Sequence, residues 1–252
     1  YYILLSTLHA QQQNFPAAIE TLNILIKADP DSIFGIYYLG RVYEMSGNIK
    51  EAEKYYRRAT ELNPDAESLQ LDFARTLALQ DKSSDAIAVC KRLLERNPRN
   101  IQARAILSQL FWESKNYSEA LTQLEELAKT EEDPTDTRLR IGLLKIEMKD
   151  YQGAVTHLSA MVEANPANTS ARYFLASGYA GLGQLDQAIG ELKKILVGQK
   201  MFIESRTFAA YLLRQDKRFA EALPFVDEAL SQKPDDPTLL SYKLSLEREA
   251  DL

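Results

Sequence analysis

Residue types that usually carry chemistry are sparse in this chain. Its two histidines, His9 and His157, have no cysteine or carboxylate beside them at the spacing a metal site needs. His9 falls on an inward helix face and is expected to be a hydrogen-bonded filler. The single cysteine, Cys90, rules out an internal disulfide framework and reads as a small hydrophobe rather than a nucleophile. Gly181-Leu182-Gly183 is a helix-turn glycine pair, without the strand that a phosphate-cradling loop requires. Arg104, Arg138, Arg172 and Arg206 recur every 34 residues, each near the start of a helix. They could form an anion-binding stripe. In the preferred reading their stems cover the joints between units, and each guanidinium meets a carboxylate or carbonyl of the preceding unit. Net charge is −6, so nonspecific binding to nucleic acid is not expected. The chain is therefore expected to be noncatalytic, with no cofactor and no metal.

What positions these residues is a period. Ala18, Ala52, Ala86, Ala120, Ala154, Ala188 and Ala222 stand 34 residues apart. Self-similarity of this length marks a stack of units that bury their apolar faces on one another. In the unit 33–66, Ile36, Leu39, Gly40 and Tyr43 recur at helical spacing until Gly47-Asn48 breaks the pattern. Ile49, Ala52, Tyr56 and Ala59 then mark a second helix, which Asn63-Pro64 ends. The unit is an antiparallel helix pair. A second small position, Ser6, Gly40, Ala74, Ser108, Gly142, Ala176 and Ala210, lets the paired helices approach closely.

The pattern I-x2-L-G-x2-Y…A-x3-Y-x2-A…P resembles the tetratricopeptide repeat family. The register fits residues 1–30, 33–66, 67–100, 101–134, 135–168, 169–202 and 203–236, with a capping helix over 237–252. The expected fold is one all-α solenoid domain of about seven helix pairs. The resemblance implies a right-handed superhelix whose first helices line a concave groove for a peptide or protein segment. Carried onto this chain, the groove receives Phe34, Tyr37, Arg41, Met45, Leu71, Arg75, Leu79, Ala105, Gln109, Trp112, Leu139, Leu143, Ile146, Tyr173, Ser177, Tyr211 and Arg214. Trp112, Leu139, Leu143 and Ile146 are expected to make an exposed apolar strip. Arg41 and Arg75 would make the groove basic before the strip, and Asp136, Glu147 and Glu204 would make it acidic beyond. The places that family members use to clamp a C-terminal carboxylate, or to build an asparagine ladder, hold other residues here.

Departures from the pattern locate weak joints. Ser83 replaces an apolar residue, Pro134 comes two places late in TEEDPTD, and Gly198 stands where a proline is expected. Lys145 takes an apolar place and is expected to lay its stem along the core. In the last helix Asp236 is the expected N-cap, with Leu239, Leu240, Leu244 and Leu246 as its buried side. The register makes Tyr1 the third residue of a unit, so the chain is expected to be a fragment, with its compartment open. Tyr1 and Tyr2 are expected to need a covering surface. The regular units resemble bacterial scaffolds of secretion, pilus or polysaccharide-export assemblies. No run is apolar and long enough to insert in a membrane. The rival readings are self-association through Tyr1 and Tyr2, and the regulatory arm of an enzyme.

Overall fold

The computed structural model describes residues 1–250, and these divide into two compact units, Tyr1–Glu132 and Asp133–Leu252. The first holds four helix pairs: α1 (Tyr2–Gln11) with α2 (Phe15–Ala28), α3 (Ile33–Met45) with α4 (Ile49–Leu62), α5 (Glu67–Ala78) with α6 (Ser83–Arg96), and α7 (Ile101–Glu113) with α8 (Tyr117–Thr130). The second holds α9 (Thr135–Glu147) with α10 (Tyr151–Ala164), α11 (Thr169–Gly181) with α12 (Leu185–Lys193), α13 (Phe202–Gln215) with α14 (Phe219–Gln232), and a last helix α15 (Pro237–Ala250). Every described element is helical.

Closure of each pair repeats as strictly as the alanines. Gln13, Gly47, Asp81, Lys115, Lys149, Gly183 and Lys217 all have φ between 58° and 79°. The next amide donates to the carbonyl five residues back, as from Asn48 to Tyr43 and from Asn116 to Phe111. This left-handed closure satisfies carbonyls that the helix end would leave bare. Asn14, Asn48 and Asp150 then cap the second helices by accepting from the amides of Ala17, Glu51 and Gly153.

Within the pairs the seven ladder alanines are fully buried. The other small place is buried throughout. A Cβ added at Gly142 would stand 2.5 Å from Leu158 Cδ2, and at Gly40 3.0 Å from the Tyr56 ring. Close helix approach thus requires the small residues.

The joints show what their departures mean. TEEDPTD contains the division between the two units, after Glu132. Around Ser83 the missing apolar contact is accompanied by a polar tie. The buried Glu53 carboxylate accepts from Gln80 Nε2 at 2.9 Å and pairs with Lys82 and Arg57. Near Gly198, α12 stops after 9 residues, and Gly198 and Met201 both take positive φ. Ile195 is buried there while Leu196 and Val197 are exposed. Lys145 lies mostly covered, its Nζ 3.6 Å from Asp150 Oδ2.

Asp236 Oδ1 accepts from the amides of Thr238 and Leu239, which caps α15. Leu239 and Leu246 are buried, but Leu240 and Leu244 are exposed, against the expectation from sequence. Leu244 occupies the small place that in the seven pairs faces the second helix of the same pair, a face that α15 leaves uncovered. Tyr242 packs on the core instead.

Candidate functional site

The residues singled out for chemistry have different surroundings. Cys90 is fully buried, and burial pushes its thiol up to about 12, so no reactive thiolate forms there. His9 is not the hydrogen-bonded filler expected at Nδ1, which is buried without a protein partner among the described residues. Among those residues no group of three or more His, Cys, Asp or Glu is placed to hold a metal ion. No described helix is long and apolar enough to cross a membrane.

Three rungs of the arginine ladder close joints. Arg104 donates to the Pro98 carbonyl at 2.7 Å and to Gln123 Oε1 at 3.1 Å. Arg172 does the same with Pro166 at 2.9 Å and Glu191 at 2.6 Å. Arg206, buried, donates to the carbonyls of Leu192 and Ile195 at 2.8 and 3.0 Å and pairs with Glu228. Arg138 is exposed. In its pair the place of Gln123 and Glu191 is taken by His157, whose Nε2 lies 2.8 Å from the Arg138 carbonyl oxygen.

An open cleft of about 510 Å³ lies on the first-helix face of the Tyr1–Glu132 unit. Its floor is apolar: Ala78, Leu79, Ala105, Ile106 and Leu110, from α5, its C-terminal end and α7. Leu79 is 65% exposed, a large apolar side chain in water. Four residues expected in the groove, Arg75, Leu79, Ala105 and Gln109, line it together. Glu44 from α3 and Glu113 from α7 complete the rim.

Hydrogen bonds hold this rim. Tyr56 donates to Glu44 Oε2 at 2.6 Å, and Gln109 Nε2 donates to Glu113 Oε1 at 2.7 Å. Arg75 donates to Asp72 Oδ1 at 2.8 Å and to Gln102 Oε1 at 3.0 Å. The other Asp72 oxygen accepts from the Tyr37 hydroxyl at 2.9 Å, which joins α3 to α5. Burial, with Asp72 beside it, raises the Tyr37 phenol above its ordinary value. Burial and the Glu44 carboxylate raise Tyr56 further. Burial pulls the Arg41 guanidinium down, but Tyr37, Tyr56 and Asp72 more than offset this. The expected basic stretch is therefore corrected: Asp72 sits among its arginines, and the cleft charges without an ion pair among the described residues are the carboxylates of Glu44 and Glu113.

Other groove residues have other fates. Phe34 and Met45 are exposed, as is Tyr211. Leu71 is buried, because α7 packs directly on α5 and little of the side chain reaches solvent. Trp112 in the first unit, and Leu139, Leu143 and Ile146 in the second, are each half-buried. Leu139 and Ile146 pack on the core around Ala154, Val155, Leu158 and Leu175. Ser177 Oγ donates back to the Tyr173 carbonyl, and the Tyr173 ring lies against Phe174 and Phe208. Arg214 makes two bonds to the Glu249 carboxylate and lies 5.7 Å from the Tyr242 ring centroid, so it holds α15 rather than facing a ligand. The cleft floor from Ala78, Ile106 and Leu110 escaped sequence reasoning, since single apolar residues in a helix do not reveal a gap between helices.

Models of the tetratricopeptide repeat match residues 3–67, 43–110, 77–140 and 145–197. The chain belongs to the tetratricopeptide repeat family. Its fold, an all-α helical repeat solenoid, is that of protein–protein interaction scaffolds. The C-terminal part of a repeat protein from Cytophaga hutchinsonii superposes with a TM-score of 0.76 at 16% identity, over 95% of this chain and 98% of that one. YrrB, described as having an unusual peptide-binding site, superposes at 0.55 with 21% identity, over 75% and 97%. Cellulose synthase operon protein C of Pseudomonas fluorescens is 27% identical over 152 residues, 53% of this chain and 12% of that protein. The chain spans 12% to 45% of the length of the curated relatives it matches.

Proposed function

We propose that this repeat protein is a noncatalytic scaffold that holds a segment of a partner protein on its first-helix face, with the Leu79 cleft as the contact centre. One observation carries the reading: Leu79, an apolar side chain 65% exposed, lies in a cleft of about 510 Å³ with three other residues that the repeat register assigns to the binding face. Clefts with an apolar floor and a few polar rim groups are where ligands are held. The partner assembly is proposed to be a bacterial envelope system, a choice supported by the similarity to cellulose synthase operon protein C. A photoreactive side chain placed at Leu79 should crosslink to a defined segment of one partner in cells making the full-length protein. The same group at Glu125, exposed on α8, should not. Crosslinks at Glu125 with none at Leu79 would move the site to the second helices.

Self-association is the second reading. Tyr1, just before α1, and Leu4 and Leu8 on it are exposed by 89%, 77% and 50%. Sedimentation over a concentration series decides it: a single species throughout removes it, and dimerisation lost in Leu4→Glu supports it.

A further inference from the structure

The charges at the Leu79 cleft are unequally satisfied. Its arginine is already engaged: Arg75 is fixed by Asp72 and Gln102. Glu44 and Glu113 receive only neutral donors, the Tyr56 hydroxyl and the Gln109 amide. Among the described residues neither carboxylate pairs with a cationic side chain. The two come from α3 and α7, the helices before and after α5 in the series of first helices, and α5 and its end supply Ala78 and Leu79. The apolar floor is thus bracketed by two carboxylates that make no ion pair among the described residues.

We infer that the cleft takes an apolar side chain of an extended partner segment carrying a lysine or arginine on each side of it. The apolar residue covers Leu79 and Ile106, and the flanking cations reach Glu44 and Glu113. Complementary charges of this kind steer association and reject segments of the wrong sign, and their effect fades with salt. The inference rests on the binding face proposed above and specifies the chemistry of what binds there.

Three dye-labelled peptides test it, identical except that a central leucine is flanked by lysine, serine or glutamate. Fluorescence anisotropy with the full chain should show the lysine peptide binding tightest at low salt, with the preference shrinking as salt is raised. Glu44→Gln with Glu113→Gln should weaken that peptide by about fivefold, the scale of partly exposed ion pairs, and leave the serine peptide unchanged. Glutamine at 44 can still accept from Tyr56, so the rim keeps its form, and circular dichroism checks that the helices remain. Leu79→Ser should weaken all three peptides. Three peptides of equal affinity, all weakened by Leu79→Ser, would overturn the charge inference and leave the binding face standing. Binding of all three unchanged by Leu79→Ser would overturn the face itself. A lysine preference indifferent to both glutamine substitutions, or no binding of the lysine peptide, also overturns the inference.

Discussion

The first-helix faces of the two compact units carry different residues at the same places of the repeat. In Tyr1–Glu132, Met45 and Leu79 stay exposed, and α3, α5 and α7 leave a cleft with a charged rim. In Asp133–Leu252 the places equivalent to Met45 and Leu79 hold Glu147, Gly181 and Gln215, exposed but not apolar, and several other first-helix residues are taken into packing. Leu139 and Ile146 lie on the core, Tyr173 meets Phe174 edge-on and Phe208 at a tilt, and Arg214 is bound to Glu249. Register therefore decides which way a side chain leaves the helix. What it offers there depends on the residue each unit carries at that place. The arginines divide by their place in the repeat: Arg206 is buried and closes a joint, while Arg75 sits half-exposed at a rim.

The arginines give the largest expected effect. Arg206→Ala strips donors from two buried carbonyls and leaves Glu228 unpaired, and should cost about 2–4 kcal/mol in denaturant melts. Arg75→Ala removes exposed bonds only and should cost under about 1 kcal/mol. Similar losses from both would erase the distinction between joint and rim.

Leucines come next. Leu139→Ser removes part of a core contact and should cost about 1–3 kcal/mol. Leu79→Ser changes a side chain in water and should stay within about 0.5 kcal/mol of the parent. A loss at Leu79 matching that at Leu139 would mean that the cleft is packing and not a surface for a partner.

Acid should distinguish the units as well. Burial raises the Glu53 carboxylate, but hydrogen bonds from Lys82, Arg57 and Gln80 outweigh it and hold the carboxylate below its ordinary value. Its contribution is therefore complete above the ordinary carboxylate range and is lost as pH falls through the lowered value. Hydrogen exchange at falling pH should show α4 and the Gln80–Ser83 turn opening early. Glu53→Gln, at a cost of about 1–2 kcal/mol near neutral pH, should abolish that acid-linked step. An unchanged acid profile in Glu53→Gln would place the sensitivity elsewhere.

Much of the fold was legible because its requirements are local and repeated. An alanine every 34 residues and a small residue at a second place can be read without coordinates, and both sets are buried. Asp236 as a cap was legible for the same reason. The cleft was legible only in outline. That Asp72 engages Arg75 can be suspected from spacing, but its bond to Tyr37 spans 35 positions and depends on how two helices meet. Leu71 and Trp112 were assigned to the same face as Leu79 and Met45, but they stand at other places of the repeat and are less exposed. The burial of Arg172 and Arg206 likewise follows from carbonyls left by the preceding helix end, which a residue pattern does not display.

The smallest effect concerns the turns, where sequence signalled two of seven. Gly47 and Gly183 announce the left-handed residue that closes a pair, but Gln13, Asp81, Lys115, Lys149 and Lys217 take the same conformation with a side chain attached. A Cβ in that region clashes with the neighbouring carbonyl, at a cost of about 1–2 kcal/mol. Glycine removes the clash and adds freedom to the unfolded chain, which returns about 0.4–1 kcal/mol. Lys115→Gly in the first unit and Lys149→Gly in the second should each raise stability by about 0.5 kcal/mol net. Because the closure is the same in both units, the two gains should be equal, unlike the paired losses above. A loss at either position would show that the lysine stem contributes packing there, and that the units differ in their turns as well as in their faces.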